Sequence, residues 1–257
     1  MDIQRVFAVY FSPTGGSRRY VREIARRLDP QFQEIDLTTP AGRAQPHRFT
    51  PRDLVILGSP VYAGRLPRVA GGLFASLEGD HTPAVFTVSY GNRAFDDALV
   101  EEQDLCQARG FVGVAAAAWI APHTFSSRIA AGRPDQADLA QVDAFVDRLR
   151  QALAGPLPQG LALPGNRPYK QVSPMSFHPQ GGEGCTRCGR CVQNCPAGAI
   201  PAEDPRVTDP QACIVCLACM KNCPAHARTV PGPGLEAVCQ KLEGLLLARR
   251  QEPQWYF

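Results

Sequence analysis

Val6-Phe7-Ala8-Val9-Tyr10-Phe11-Ser12-Pro13-Thr14-Gly15-Gly16-Ser17 is the stretch on which the fold turns. Val6 to Phe11 is a short run of β-branched and aromatic residues, which predicts a strand. A helical stretch runs on from Ser17 to about Leu28. The turn between them carries three hydroxyls and two glycines. Such a turn wraps a phosphate with hydroxyl and backbone N–H groups, and the helix start adds a favourable field for a dianion. The Gly-Lys-Ser/Thr ending of a Walker loop is absent, and so is the dinucleotide pattern G-x-G-x-x-G. Taken alone, the turn is also compatible with an ordinary strand–helix junction.

Working outward, further apolar runs follow at Phe32 to Leu37, Asp53 to Leu57, Ala84 to Ser89 and Phe111 to Ile120. Helical patterns over Leu66 to Leu77, Ala94 to Ala108 and Asp138 to Leu153 separate most of them. Alternating strands and helices predict a parallel sheet with helices on both faces, and continuously apolar strands agree with burial on both sides. Two more loops stand where a ligand would sit. Gly58 to Pro67 follows the third strand and Ser89 to Arg93 the fourth, both rich in small, hydroxyl and aromatic residues. Ligands of open α/β sheets bind outside the carboxyl ends of the strands, where strand order reverses.

The turn from Ser12 to Ser17 resembles the phosphate loop Ser/Thr-x-Thr-Gly-x-Ser/Thr of flavodoxins. That resemblance implies an α/β, flavodoxin-like, doubly wound five-stranded parallel sheet of order 2-1-3-4-5 that binds FMN. The expected cofactor contacts are Ser12, Thr14, Gly15, Gly16 and Ser17, then Ser59, Pro60, Val61, Tyr62, Ala63 and Gly64, then Ser89, Tyr90, Gly91, Asn92 and Arg93. Tyr62 or Tyr90 is the expected stacking partner of the isoalloxazine, and Asn92 the expected hydrogen-bonding partner of its polar edge. Arg65, Arg68 and Arg93 lie in the same loops, and positive charge there favours the anionic reduced flavin. A flavin-free domain of the same fold is the plainer alternative.

Eight of the ten cysteines form two copies of C-x2-C-x2-C-x3-C-P: Cys185, Cys188, Cys191, Cys195 with Pro196, and Cys213, Cys216, Cys219, Cys223 with Pro224. This is the bacterial two-cluster spacing, in which the fourth Cys of each run serves the other cluster. The expected ligand sets of two [4Fe–4S] clusters are therefore Cys185, Cys188, Cys191 with Cys223, and Cys213, Cys216, Cys219 with Cys195. Zinc sites use two C-x2-C pairs, which this is not. Disulfides would need an oxidising compartment. The segment from about Gly182 to Val230 resembles a bacterial two-cluster ferredoxin, a small α+β domain. The whole chain is similar to the flavodoxin–ferredoxin fusion family.

The chain has 257 residues and a net charge of +3. That length suits two domains. The expected organisation is a flavodoxin-like FMN domain over 1–154, a Pro/Gly-rich linker over 155–181, a two-cluster domain over 182–231, and a C-terminal helix with an aromatic tail over 232–257. Residues 1–154 hold 17 Lys+Arg against 17 Asp+Glu, and residues 155–257 hold 10 against 7. So small an excess argues against nucleic acid, and its place on the cluster side points to an acidic redox partner protein or to a merely solvated surface. No stretch approaches the roughly 20 apolar residues of a membrane span. Met1 to Phe11 reads as a strand and not as a signal peptide. The expectation is a cytoplasmic protein, with a homo-oligomer left open because the FMN of one subunit would then face the clusters of another.

Among other residues, His123 reads as a loop cap before a proton donor, Arg133 as an Asp partner, and Cys106 and Cys239 as helix-buried thiols. Arg187, Arg190 and Lys221 stand inside the runs, where positive charge raises cluster potentials. Trp255-Tyr256-Phe257 is expected to pack. Flavin exchanges one or two electrons and clusters one at a time, so the pair reads as an electron-transfer iron–sulfur flavoprotein that couples the two regimes. The alternatives are an FMN-dependent reductase of a small organic substrate fed by the clusters, and a non-catalytic redox sensor.

Overall fold

The structure is a computed structural model and describes residues 1–158 and 160–257. In chain order the elements are β1 (Arg5–Tyr10), α1 (Gly16–Leu28), β2 (Gln33–Asp36), α2 (Pro40–Arg43), β3 (His47–Phe49), β4 (Asp53–Pro60), β5 (Leu77–Gly79), β6 (Thr82–Tyr90), α3 (Ala98–Gln107), β7 (Phe111–Ile120) and α4 (Gln136–Ala154). After a long irregular stretch come β8 (Gln180–Gly181), α5 (Arg190–Gln193), α6 (Ala218–Lys221), β9 (Arg228–Thr229), α7 (Gly234–Leu246) and β10 (Gln254–Tyr256).

The main sheet has six strands in the order β10-β7-β6-β4-β1-β2. Strands β2, β1, β4, β6 and β7 are parallel, and β10 runs antiparallel to β7. Alternation along β1 sorts side chains to the two faces: Phe7 and Val9 to one, Val6, Ala8 and Tyr10 to the other. The first face packs with Ala98, Leu99 and Cys106 of α3. The second packs with Tyr20, Val21 and Ile24 of α1 and with Val142, Phe145 and Val146 of α4. Helices on both faces explain why the inner strands are apolar throughout. Tyr20 fixes α1 by stacking on Trp119 at 5.0 Å and donating to Ile120 O at 2.6 Å.

Three expectations are corrected. The sheet has six strands, because the tail forms β10 on the edge of β7. Trp255 packs into the α1/α4 layer and Tyr256 against the other, and Phe145 meets the Trp255 and Phe257 rings at 5.9 Å and 5.4 Å. This covers an edge that would otherwise present unpaired backbone groups. The helix expected over Leu66 to Leu77 is absent. Pro67 interrupts it, and Gly71 and Gly72 both adopt left-handed backbone, at φ 79° and 80°, which no helix continues. Cys239 is only half-buried on α7, its thiol facing Phe125 O at 3.0 Å, whereas Cys106 is buried.

The stretch after α4 is pinned to the α/β body. Gln103 Nε2 donates to Leu161 O at 2.7 Å, and Arg167 pairs with Asp104. Asp97 accepts from the backbone of Asn166 at 2.8 Å and of Lys170 at 2.7 Å. Burial alone would raise the Asp97 carboxyl, but these hydrogen bonds hold it below the usual carboxylate range. Among the described residues, no helix is long and apolar enough to cross a membrane.

Candidate functional site

The carboxyl ends of β1, β4, β6 and β7 converge on a cavity of about 740 Å³, within the range of ligand pockets. Its floor is the turn after β1. Gly15 adopts left-handed backbone at φ 85° and starts α1, whose first N–H groups have no partner within the helix. A Cβ on Gly16 would stand 3.1 Å from the Ala121 Cβ, so the turn lies close against the loop after β7. Ser17 Oγ and Ser89 Oγ share a hydrogen bond of 2.7 Å, joining two of the expected loops. Ser12 Oγ accepts from Arg18 N at 3.0 Å and holds the turn's shape.

Of the expected contacts, Ser12, Thr14, Gly16, Ser17, Pro60, Val61, Tyr62, Ala63, Gly64, Ser89, Tyr90, Gly91 and Arg93 line the cavity. Gly15 and Ser59 do not. Gly15 faces a second cleft of about 840 Å³, and the Ser59 hydroxyl is turned to Pro60 O. Asn92 is a correction. Its Nδ2 donates to Leu246 O at 3.2 Å and Arg249 O at 2.8 Å, and its Oδ1 accepts from Gln251 N at 2.8 Å. That amide anchors the C-terminal arm, and both of its N–H groups are taken. The arginines are also compensated. Buried Arg65 is gripped by Glu101 at 2.7 Å and 2.8 Å and lies 4.4 Å over Tyr169, while Arg93 pairs with Asp96. Arg68 remains exposed.

Sequence reasoning missed half of the wall. The loop Ala121 to Phe125, the stretch Val172 to Met175, the segment Pro210 to Val215, and Val238 and Leu242 of α7 all line the same cavity. They come from distant parts of the chain, and among them only His123 and Cys213 stand out in the sequence. His123 accepts from Phe125 N at 3.1 Å through Nδ1, as a loop cap does. Burial, then Lys221 and Arg93, push its pKa down to about 4, so the ring is neutral at pH 7.

The wall from Pro210 to Val215 brings in the cysteines. Cys213 lines the cavity. Burial pushes the Cys216 thiol up to about 12, and the nearby Cys219, Cys195 and Cys213 push in the same direction. They are the four expected ligands of one cluster. Cys195 and Cys216 are buried and Cys213 and Cys219 half-buried; cationic charge among such thiols favours their ionised form, and an all-cysteine donor set is the kind that iron–sulfur clusters use. Among the described residues, no three Cys, His, Asp or Glu side chains close on a point as the ligands of a single ion do. Cubane ligands instead stand apart, one at each iron. Backbone N–H groups already aim at sulfur: Ala199 at Cys195, Val215 at Cys213 and Ala227 at Cys223, at 3.2, 3.4 and 3.3 Å. In the other set Cys188 is exposed, while Cys185, Cys191 and Cys223 are half-buried.

Tyr62 stands between the two regions. It lines the cavity, and its buried hydroxyl has no partner among the described residues. Burial raises its pKa well above the usual phenol value, and Cys216 adds to the rise. The halves are also packed together. Phe125, Phe177, Val215, Leu217, Leu235 and Val238 form one apolar cluster, Arg128 pairs with Glu243 at 2.7 Å, and Arg43 donates to Pro196 O at 2.7 Å.

No protein-family model matches the chain, and no curated protein is significantly similar to it. Among solved structures it is similar to a flavodoxin from the domain Archaea, at 13% identity over 58% of this chain and 99% of that one, TM-score 0.40. A "Putative flavoprotein" from Bacteroides uniformis matches at 14% identity over 56% of this chain and 99% of that one, TM-score 0.37. Another from Bacteroides eggerthii matches at 13% identity over 57% and 98%, TM-score 0.38.

Proposed function

We propose that the chain is an electron-transfer iron–sulfur flavoprotein, with FMN in the cavity above the sheet and two [4Fe–4S] clusters on the eight run cysteines. The observation that carries this reading is the shared wall. Cys213, which packs in one small cluster with Cys195 and Cys219, lines the same cavity as the phosphate-type turn at Ser12 to Ser17 and the Tyr62 and Tyr90 loops. FMN, when bound, supplies the exchange between one- and two-electron chemistry that the clusters alone lack.

The residues divide the work. The α1 start and the hydroxyls of Ser12, Thr14 and Ser17 bind the phosphate. The Tyr62 and Tyr90 loops and His123 enclose the ring system. Tyr62 offers its unpartnered hydroxyl between flavin side and cluster side. The apolar cluster of Phe125, Phe177 and Val215 excludes water from the junction and holds the two regions together, so the path for electrons is intramolecular. An acidic redox protein is the expected external partner, because Arg187, Arg190 and Lys221 are exposed around the cysteine turns.

Anaerobic purification with iron, sulfide, zinc and flavin analysis tests the reading. Eight irons and one FMN per chain support it. Zinc in place of iron, or a chain that takes up no flavin, overturns it.

A further inference from the structure

The two cysteine runs repeat in structure as well as in sequence. Left-handed residues stand at Arg187, Gly189 and Gly198 in the first copy and at Val215, Leu217 and His226 in the second. Each pair is separated by the same 28 positions as the matched cysteines. The backbone bonds from Ala199 to Cys195 and from Ala227 to Cys223 match as well. One residue later the match breaks. The first copy has Ile200, 4% exposed, and the second has Arg228, 3% exposed.

A guanidinium buried this deeply needs charge or hydrogen bonds around it. Arg228 Nη1 donates to Pro205 O and lies 3.9 Å from Cys191 Sγ. Its Nη2 donates to Pro179 O at 3.1 Å and to Thr208 Oγ1. Its Nε is buried with no partner, and among the described residues no carboxylate forms an ion pair with it. Cys191, of the first expected set, packs against the same small cluster around Cys195, Ala199 and Ile200 as Cys213 and Cys219 of the second set. One cation thus stands against a ligand of the first expected cluster, beside a packed group that also holds ligands of the second, and among the described residues no carboxylate lies within ion-pair distance of it.

We propose that Arg228 is a shared counter-charge for two iron–sulfur clusters, placed against Cys191 where ligands of both expected sets pack together, and that it holds both reduction potentials up. The inference rests on the cluster reading above. Each one-electron reduction adds one negative charge to a cluster and breaks no bond, so a fixed neighbouring cation favours the reduced state. An apolar residue there, as at Ile200, leaves the reduced state without that support.

The test compares the wild type with Arg228→Ile, which installs the residue of the first copy, and Arg228→Lys, which keeps the charge. Iron per chain is counted, and both clusters are titrated anaerobically with dithionite and mediators, followed by electron paramagnetic resonance. The expected result is full iron in all three and a fall of both couples in Arg228→Ile. The fall should reach tenfold in the reduction equilibrium, about 59 mV for one electron, with the Lys variant nearer the wild type. Loss of iron from the Ile variant alone also supports a charge requirement. Full iron with unchanged potentials in Arg228→Ile overturns the proposal. So does equal iron loss from both variants, which would make the role one of packing. A wild type without iron would instead overturn the cluster reading, and this inference with it.

Discussion

The sheet body and the cysteine segment are built on opposite principles. The sheet lies between two broad apolar layers, one led by Phe7, Leu57 and Phe86 and the other by Tyr20, Trp119 and Phe145. The cysteine segment has only two small clusters. One consists mainly of cysteines around Ala199 and Ile200, and the other borrows Phe125, Phe177 and Leu235 from outside. A segment of that size buries too little to stand on hydrophobic contact alone. The comparison teaches that burial folds the first region, while on the proposed reading thiolate–metal bonds supply what the second lacks.

Stripping iron with a chelator is the harshest way to break that comparison. Amides in 182–230 should lose hydrogen-exchange protection almost entirely, while those of β1, β4 and β6 stay protected. Protection that persists in both regions would show that the cysteine segment holds itself. The converse perturbation is Trp119→Ala. It should destabilise the sheet body by about 3–5 kcal/mol in urea and, at low denaturant, leave iron per chain unchanged.

Asn92→Ala sharpens the boundary between site and scaffold. Losing the three bonds to the C-terminal arm should cost about 1–3 kcal/mol and free β10 to exchange, with flavin content unaltered. A flavin-free variant that kept a protected β10 would return Asn92 to the cofactor. A smaller effect concerns pH. His123 has a folded pKa of about 4, below the usual value near 6.5. The unfolded chain therefore binds more protons between these values, and stability should decline as pH falls from about 6.5 to 4. Urea unfolding of His123→Gln should show a shallower decline over that window, and identical slopes would contradict the burial assigned to the ring.

Much of this contrast was legible before any coordinates. The apolar runs marked the parallel strands because strands buried on both faces leave a continuous signature, and the cysteine spacing is its own message. What escaped was non-local. Gln254–Tyr256 is too short to show a period and becomes a strand only beside β7. Asn92 looked like a ligand contact because its partners lie more than 150 positions away. The expected helix over 66–77 failed at Pro67 and Gly71-Gly72, where apolar spacing outweighed visible breakers. Nothing local in the sequence reveals that Arg228 is buried.

The central claim is that flavin and cluster face one another across the wall containing Cys213. It is tested most directly by anaerobic stopped-flow: clusters reduced first, then flavin absorbance followed over a tenfold range of protein concentration. The account expects a flavin reduction rate independent of concentration, slowed in Tyr62→Ala. A rate rising in proportion to concentration would place the electron's route between molecules and contradict it.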